Sequence, residues 1–154
     1  MRVILGLLLA FFSCIATAAD WYYIKSDSDL SVYVDRKSIT FNGNTAKVWS
    51  SWDFNTPQPL ENSYPQKTFQ SVKALDLIDC KQRATANLEL VHHEGKEGGA
   101  VVQSESFPRE SPKFKEVIPD SFGESILNYV CAQRAPVKKR ANKSVRDFPS
   151  TRPD

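Results

Sequence analysis

Short segments in which hydrophobic and polar residues alternate, separated by turn-forming residues, run through much of the chain. Residues 20–25 are dense in aromatic and β-branched side chains, and in residues 30–35 the apolar Leu30, Val32 and Val34 alternate with polar neighbours and Tyr33. Alternation of this kind is typical of strands that bury one face. The pattern therefore predicts an antiparallel sheet.

The dipeptide Asn-Gly at residues 42–43 predicts a β-hairpin, because a two-residue type I′ turn needs positive φ at both central positions. Pairing Phe41 with Asn44 places Ile39 opposite Ala46. On this register one face of the hairpin carries six apolar residues: Ile39, Phe41, Ala46, Val48, Trp52 and Phe54. The turn and the hydrophobic pattern agree on the same hairpin.

Two later stretches predict irregular structure. Residues 55–66 contain three prolines and no periodicity, so we expect a long loop, either a binding surface or a plain connection between strands. Residues 93–99 are charged and glycine-rich and predict a hairpin turn. His92 and His93 are interpreted as solvated residues at a strand end rather than metal ligands, because neighbouring strand residues point to opposite faces.

A helix is predicted over residues 121–133. Ser121 and Glu124 have the spacing of a capping box, in which each side chain accepts a hydrogen bond from a free backbone N–H of the first turn. An apolar stripe follows at helical spacing, with two further residues along its edge: Phe122, Ile126, Tyr129 and Val130, then Leu127 and Cys131. A helix of this kind buries its stripe on the sheet, so the predicted fold class is α+β.

Residues 1–19 have the pattern of an export signal. Arg2 is followed by an apolar run and then by small residues up to Ala18 and Ala19, as in a secretory signal peptide. The run is shorter than the roughly 20 apolar residues that cross a bilayer. We expect cleavage after Ala18 or Ala19 and an exported protein, in the periplasm or at the cell surface.

A lipid anchor at Cys14 is the alternative to ordinary cleavage. Ser13 fits the small residue needed before a lipidated cysteine, whereas Phe11 stands where leucine is usual. Ordinary cleavage leaves two cysteines, Cys80 and Cys131, which have only one way to pair in an oxidising compartment. Two unpaired buried thiols are the alternative to this disulfide.

The charge of the chain is unevenly distributed. Residues 20–134 carry 13 Lys and Arg against 16 Asp and Glu, a difference of −3, whereas residues 135–154 carry 6 against 2, a difference of +4. This tail is punctuated by prolines and poor in apolar residues, so we expect it to be disordered. Its candidate contacts to anionic lipid headgroups or other polyanions are five basic residues: Lys138, Lys139, Arg140, Lys143 and Arg146. A solvated tail without a specific partner is the alternative.

The sequence contains no catalytic constellation. It lacks G-x-S-x-G, P-loop and G-x-G-x-x-G motifs, and a disulfide between Cys80 and Cys131 removes the cysteine nucleophile. We expect no enzymatic activity, no cofactor, no metal and no nucleic-acid partner. Five aromatic residues are candidates for an exposed binding patch, although we expect most of them to pack in the core: Trp21, Tyr22, Tyr23, Trp49 and Trp52.

Several short motifs follow one another between the export signal and the second of the two cysteines. After a strand that begins with Trp21 come Val-Tyr-Val-Asp at 32–35, Lys-Val-Trp at 47–49, Ile-Asp-Cys at 78–80 and Ile-Pro-Asp-Ser at 118–121. In the order of these motifs and in its two cysteines, the chain resembles the surface-adhesin protein E family of Gram-negative bacteria.

The resemblance implies a domain over residues 20–134, an antiparallel sheet of about six strands, and a C-terminal helix tied to one face by a disulfide. It also implies a lipoprotein adhesin that binds laminin, vitronectin and plasminogen and can form a homodimer. Phe114 stands where tryptophan is expected, the lipidation signal is poor, and the basic tail is an addition. The alternative function is a periplasmic component that maintains or assembles the envelope, with its tail on anionic surfaces.

Overall fold

The computed structural model describes residues 18–134, and this part of the chain forms one antiparallel sheet, one α-helix and a short 3-10 helix at Arg36–Ser38. The expected export signal up to residue 17, including Cys14, and the basic tail from residue 135 lie outside this range. The elements described are β1 (Trp21–Ser26), β2 (Leu30–Asp35), β3 (Thr40–Asn42), β4 (Thr45–Pro59), β5 (Thr68–Asp79), β6 (Ala84–Gly95), β7 (Gly98–Ser106), β8 (Lys115–Glu116) and α1 (Phe122–Ala132).

The strands follow the order β1-β2-β4-β5-β6-β7, and two short strands are added to it, β3 beside β4 and β8 beside β6. Every pair of neighbouring strands is antiparallel. The predicted antiparallel sheet of about six strands is confirmed, since six strands form its continuous path within the described range.

The helix covers one face of the sheet. On β4, Ala46, Val48 and Ser50 are buried on this side because alternate residues of a strand share a face. Ala46 and Val48 meet the apolar stripe of α1 in a core of eight buried side chains: Val32, Val34, Ala46, Val48, Ile78, Ile126, Leu127 and Val130. Burying one such aliphatic side chain contributes about 1.5–3 kcal/mol. The α+β fold class is therefore confirmed.

The first turn of α1 is capped by Ser121, whose Oγ accepts a hydrogen bond from the backbone N–H of Glu124 at 3.2 Å. The Glu124 carboxylate accepts from the N–H of Asp120 at 2.7 Å, one residue before the position that a capping box predicts. The N–H of Ser121 instead donates to the carbonyl of Ile118. Glu124 also pairs with Arg83, so the cap joins the helix to the turn between β5 and β6.

A disulfide between Cys80 and Cys131 ties the last turns of α1 to the end of β5. The two Cα atoms are 5.7 Å apart, a usual separation for a disulfide. The bridge spans 51 residues, and these include β6, β7 and β8. It therefore joins the helix to the sheet across the core, as predicted.

The predicted register of the hairpin between β3 and β4 is wrong, because its two-residue turn lies one position later in the chain than predicted. Phe41 pairs with Ala46 and Asn42 with Thr45, so the two turn residues are 43–44 rather than 42–43. Gly43 takes the first central position with φ +59°, a left-handed conformation that costs glycine little. Each residue thereby changes its partner by two positions, and the buried face of the strand is preserved.

The predicted loop over residues 55–66 is shorter than expected. Strand β4 continues to Pro59, which pairs with Thr68 after the register is interrupted between Asp53 and Gln58. Pro57 lies within this interruption, where its missing N–H costs no ladder hydrogen bond. The remaining turn connects two neighbouring antiparallel strands and is closed by a 2.9 Å hydrogen bond from the N–H of Leu60 to a carbonyl on the other side.

A buried polar network lies under the helix side of the sheet. The Asp76 carboxylate accepts hydrogen bonds from Ser50 Oγ at 3.0 Å and from Asn87 Nδ2 at 2.7 Å, and Trp52 Nε1 donates to Ser50 Oγ at 3.1 Å. Burial raises the pKa of Asp76 to about 6, although both hydrogen bonds act in the opposite direction. The charged form of this carboxylate therefore destabilises the fold.

We predict that Asp76→Asn removes a pH dependence of stability. Between the ordinary pKa of 3.8 and a folded-state pKa of about 6, the folded protein holds a proton that the unfolded chain has lost. Unfolding free energy of the unmodified protein therefore falls by about 3 kcal/mol as pH rises through this window. Urea unfolding at several pH values measures it. Glu110→Gln, which removes an exposed carboxylate, should keep the original slope, and an unchanged slope in Asp76→Asn would contradict the assignment.

We predict that replacing both disulfide cysteines, Cys80→Ala with Cys131→Ala, lowers the unfolding free energy by about 4 kcal/mol. This is the loop-closure entropy that the chain-entropy model gives for a bridge spanning 51 residues. Urea unfolding of the oxidised protein and of the double variant measures the difference. A loss below about 1 kcal/mol would mean that packing alone holds α1 in place.

Candidate binding surface

The face of the sheet that points away from α1, here called the far face, is rich in aromatic and acidic residues. On β4 it carries the odd-numbered residues Trp49, Ser51 and Asp53, because these alternate with the residues under the helix. Tyr33 of β2 lies beside Ser51, and Trp21 of β1 lies in the same outer part of the face. Two cavities on the far face are candidates for a binding site.

The first cavity has a volume of about 340 Å³ and is lined by residues of three strands and one turn: Trp21, Tyr33, Ser51, Asp53 and Glu97. Asp53 is only 5% exposed, and its Oδ1 accepts a hydrogen bond from Ser51 Oγ at 3.1 Å. Within residues 18–134, no nitrogen of a basic side chain lies within 4.0 Å of the Asp53 carboxylate. The cavity thus combines aromatic walls with a buried carboxylate that has no counter-ion there.

The turn between β6 and β7 is fixed over this cavity by side-chain contacts. Ser71 Oγ donates to the carbonyl of Gly95 at 2.6 Å, and Lys96 Nζ donates to Asn55 Oδ1 at 3.0 Å. Glu97 at the tip has φ +60°, a left-handed conformation that is costly for a residue with a side chain. These contacts place a second carboxylate at the rim of the cavity.

A second cavity of about 230 Å³ adjoins the first and shares Trp21 with it. It is also lined by Trp49, Lys73 and His93, among other residues. The Lys73 ammonium lies 5.6 Å from the centre of the Trp21 ring, a cation–π distance. Trp21 therefore separates an acidic cavity from one that contains a basic side chain.

The expectation that His92 and His93 are solvated is wrong. Both lie within β6, which runs to Gly95, and His93 is only 8% exposed. His93 Nδ1 lies 3.0 Å from the carbonyl of Gly99, while its Nε2 is buried without a partner among the described residues. The two rings serve different surfaces, since His93 lines the second cavity and His92 lines a groove at the other end of the sheet.

That groove has a volume of about 800 Å³. Its walls include Phe54, Phe69 and His92, whose rings contact each other edge to face at 5.7 and 4.7 Å. The turn after β4 forms another wall. Part of the proline-containing stretch 55–66 thus lines a surface groove.

Three of the five aromatic residues that the sequence singles out are exposed rather than packed in the core. Trp21, Tyr22 and Tyr23 are 37%, 43% and 51% exposed, because β1 is the edge strand of the sheet. Tyr22 stacks on Tyr129 of α1 at 4.7 Å, so it belongs to the helix side. Tyr23 contacts Tyr33 edge to face at 5.8 Å and extends the aromatic area of the far face.

Four of the site residues named from the sequence lie within the described part of the chain. Cys80 and Cys131 form the disulfide, and Ser121 and Glu124 cap the helix; none of the four lines either far-face cavity. The five basic residues of the tail lie outside the described residues. Asp53, Tyr33 and Glu97 were not singled out by the sequence analysis. The one signal for them is the charged Asp53 between the aromatic residues 52 and 54 of a predicted strand.

Within residues 18–134, no group of three or more His, Cys, Asp or Glu side chains is arranged to hold a metal ion. In the same range, no helix combines the length and the apolar character needed to cross a membrane. The two cavities of the far face are therefore the candidate binding surface.

An antiparallel sheet with one disulfide-tied α-helix defines the class of protein as a small α+β domain. Residues 21–132 match the family model described as surface-adhesin protein E, so the chain belongs to this family. No curated protein matches the chain.

Two solved structures have the same fold. A structure of protein E from non-typeable Haemophilus influenzae aligns with a TM-score of 0.51 at 13% identity, covering 76% of this chain and 80% of that one. Another structure of Haemophilus influenzae protein E aligns with a TM-score of 0.51 at 15% identity, covering 77% of this chain and 91% of that one. At these identities the likeness describes the fold.

Proposed function

We propose that the protein is an exported, non-enzymatic binding protein that attaches to a protein partner through its far face. Membership of a surface-adhesin family supports an adhesin-like role. The exposure of Trp21 and Tyr23 on an edge strand carries the proposal, because contiguous exposed aromatic area marks interaction surfaces. Tryptophan and tyrosine also contribute a large share of the binding energy at protein interfaces.

The partners that the family resemblance implies are host matrix and serum proteins, namely laminin, vitronectin and plasminogen. Homodimer formation is implied in the same way, and the outer edge of β1 offers a strand for it. Contact of the tail at residues 135–154 with anionic surfaces belongs to the competing function, maintenance of the envelope. The next experiment separates the two functions.

We predict that Trp21→Ala weakens binding to immobilised laminin, vitronectin or plasminogen by at least about tenfold, a loss typical of an interface hot spot. Surface plasmon resonance with the full chain, purified after export, measures the affinity. Phe114→Ala is the matched control, because Phe114 is also 37% exposed but lines neither far-face cavity. Binding that survives Trp21→Ala but disappears on deletion of residues 135–154 would contradict the proposal and favour the tail.

Export with cleavage after Ala19 forms the second part of the proposal. The backbone nitrogen of Asp20 lies 2.9 Å from Oδ1 of Asp35, which is only 9% exposed. Cleavage of the peptide bond between Ala19 and Asp20 would turn the Asp20 nitrogen into an α-ammonium, and its hydrogen bond to Asp35 would become an ion pair. Arg36 already binds the Asp20 side chain through two hydrogen bonds of 2.9 and 2.8 Å. The surroundings of Asp20 are therefore suited to a chain that begins there.

We predict that the mature protein begins at Asp20 and is lighter by two hydrogens than its reduced form. The intact mass of the protein from soluble and membrane fractions measures both features. Asp35→Asn should lower the melting temperature of the mature protein more than that of a chain retaining residues 18–19, since the nitrogen of Asp20 beside Asp35 is an ammonium only in the mature chain. A diacylated chain beginning at Cys14 would contradict this processing and place the protein on a membrane.

A further inference from the structure

We propose that the first far-face cavity, between Trp21 and Asp53, binds an organic cation, namely the ammonium or guanidinium group of a lysine or arginine side chain on a bound protein. The assignment of the cation to a protein rests on the proposed function. The cation site itself rests on the geometry of the cavity.

The floor of the cavity is a carboxylate without a counter-ion. Asp53 is only 5% exposed, and its carboxylate accepts a hydrogen bond from Ser51 Oγ. A buried carboxylate is costly unless it is paired or fully hydrogen-bonded. Asp76, on the opposite face, accepts two side-chain hydrogen bonds, whereas Asp53 accepts one. A cation entering the cavity would supply the missing charge and further donors.

The walls of the cavity are aromatic rings, which attract cations through their negative faces. Trp21 demonstrates this property, because the Lys73 ammonium lies 5.6 Å from its ring centre. Lys73 lies opposite Ser51 on the neighbouring strand and lines the second cavity, and its ammonium is not within 4.0 Å of the Asp53 carboxylate. Tyr33 forms the other aromatic wall, and Tyr23 supports it by an edge-to-face contact at 5.8 Å.

The rim of the cavity carries Glu97, which is held there by the contacts of the β6–β7 turn. Gly98, the next residue, has φ +129°, and a Cβ built on it would lie 3.2 Å from Lys73 Nζ. The turn therefore approaches the sheet closely at a position suited to glycine. Two carboxylates and two rings around about 340 Å³ suit one alkylammonium or guanidinium group. A neutral sugar also stacks on such rings, but it would leave the charge of Asp53 uncompensated.

The test uses Nα-acetyl-lysine methylamide and Nα-acetyl-arginine methylamide as probes, whose side chains remain cationic. Nα-acetyl-norleucine methylamide is the uncharged analogue. Isothermal titration calorimetry and NMR chemical shifts of the Trp21 indole, in the full chain purified after export, report binding. The charged probes should bind and the norleucine analogue should not. Asp53→Asn should weaken binding at least about tenfold and Glu97→Gln about threefold, since each removes one carboxylate from the site.

Glu94→Gln is the matched control, because it removes the same charge from an exposed position near the same turn, outside the cavity. Glu97 is exposed, so Glu97→Gln keeps the test valid if Asp53→Asn fails to fold. Equal binding of the norleucine analogue, or binding of the charged probes that survives both Asp53→Asn and Glu97→Gln, would overturn the proposal. Binding of a neutral sugar that survives Asp53→Asn, without binding of the charged probes, would also overturn it.

The source of the cation is tested with the matrix proteins. Competition between the lysine probe and an immobilised matrix protein supports a protein side chain as the ligand. Probe binding without competition would overturn that assignment in favour of a free amine. Matrix binding that is unaffected by Asp53→Asn, in a protein that does not bind the probes, would overturn the cation site and leave the proposed function standing. Probe binding in the absence of any matrix binding would leave the cation site standing without the proposed function.

Discussion

The attachment of α1 to one face of the sheet holds this small protein together. An isolated helix of 11 residues is marginal in water, and only Ile126, Leu127 and Val130 of this one are fully buried. The cap at Ser121 fixes one end of the helix, and the disulfide at Cys131 fixes the other. Small β-branched residues on β2 and β4 complete a thin core, so the clamp at both ends compensates for a limited buried surface.

A single helix leaves the far face to be covered by side chains of the sheet itself. The alternation of strand residues places polar groups on both faces, but their surroundings differ. Asp76 lies under the helix side and is satisfied by Ser50 and Asn87, at the cost of a raised pKa. Asp53 lies on the far face among aromatic rings with one hydrogen bond. The Asp76 carboxylate is hydrogen-bonded by two side chains within the fold, whereas the Asp53 carboxylate can accept further hydrogen bonds at the first far-face cavity.

The sequence predicts those features that depend on local periodicity or on counting. The strands, the helix predicted over residues 121–133 and found at Phe122–Ala132, and the single possible cysteine pair all belong to this class. The hairpin register was not predictable, because the position of Gly43 in its turn is set together with the pairing of β4 and β5. The expectation that most of the five aromatic residues pack in the core was wrong for a similar reason, since aromatic character favours burial but strand order makes β1 an edge.

The far-face cavity was beyond sequence analysis because its residues are far apart in the chain. Asp53 and Glu97 meet only through a turn that Ser71 holds against the sheet, and no local pattern encodes such a contact. Their location also separates binding from folding. The core and the disulfide lie on the helix side, so a substitution on the far face can alter the ligand without removing the clamp that holds α1. A fold shared with protein E at 13–15% identity is therefore compatible with a different specificity on the far face.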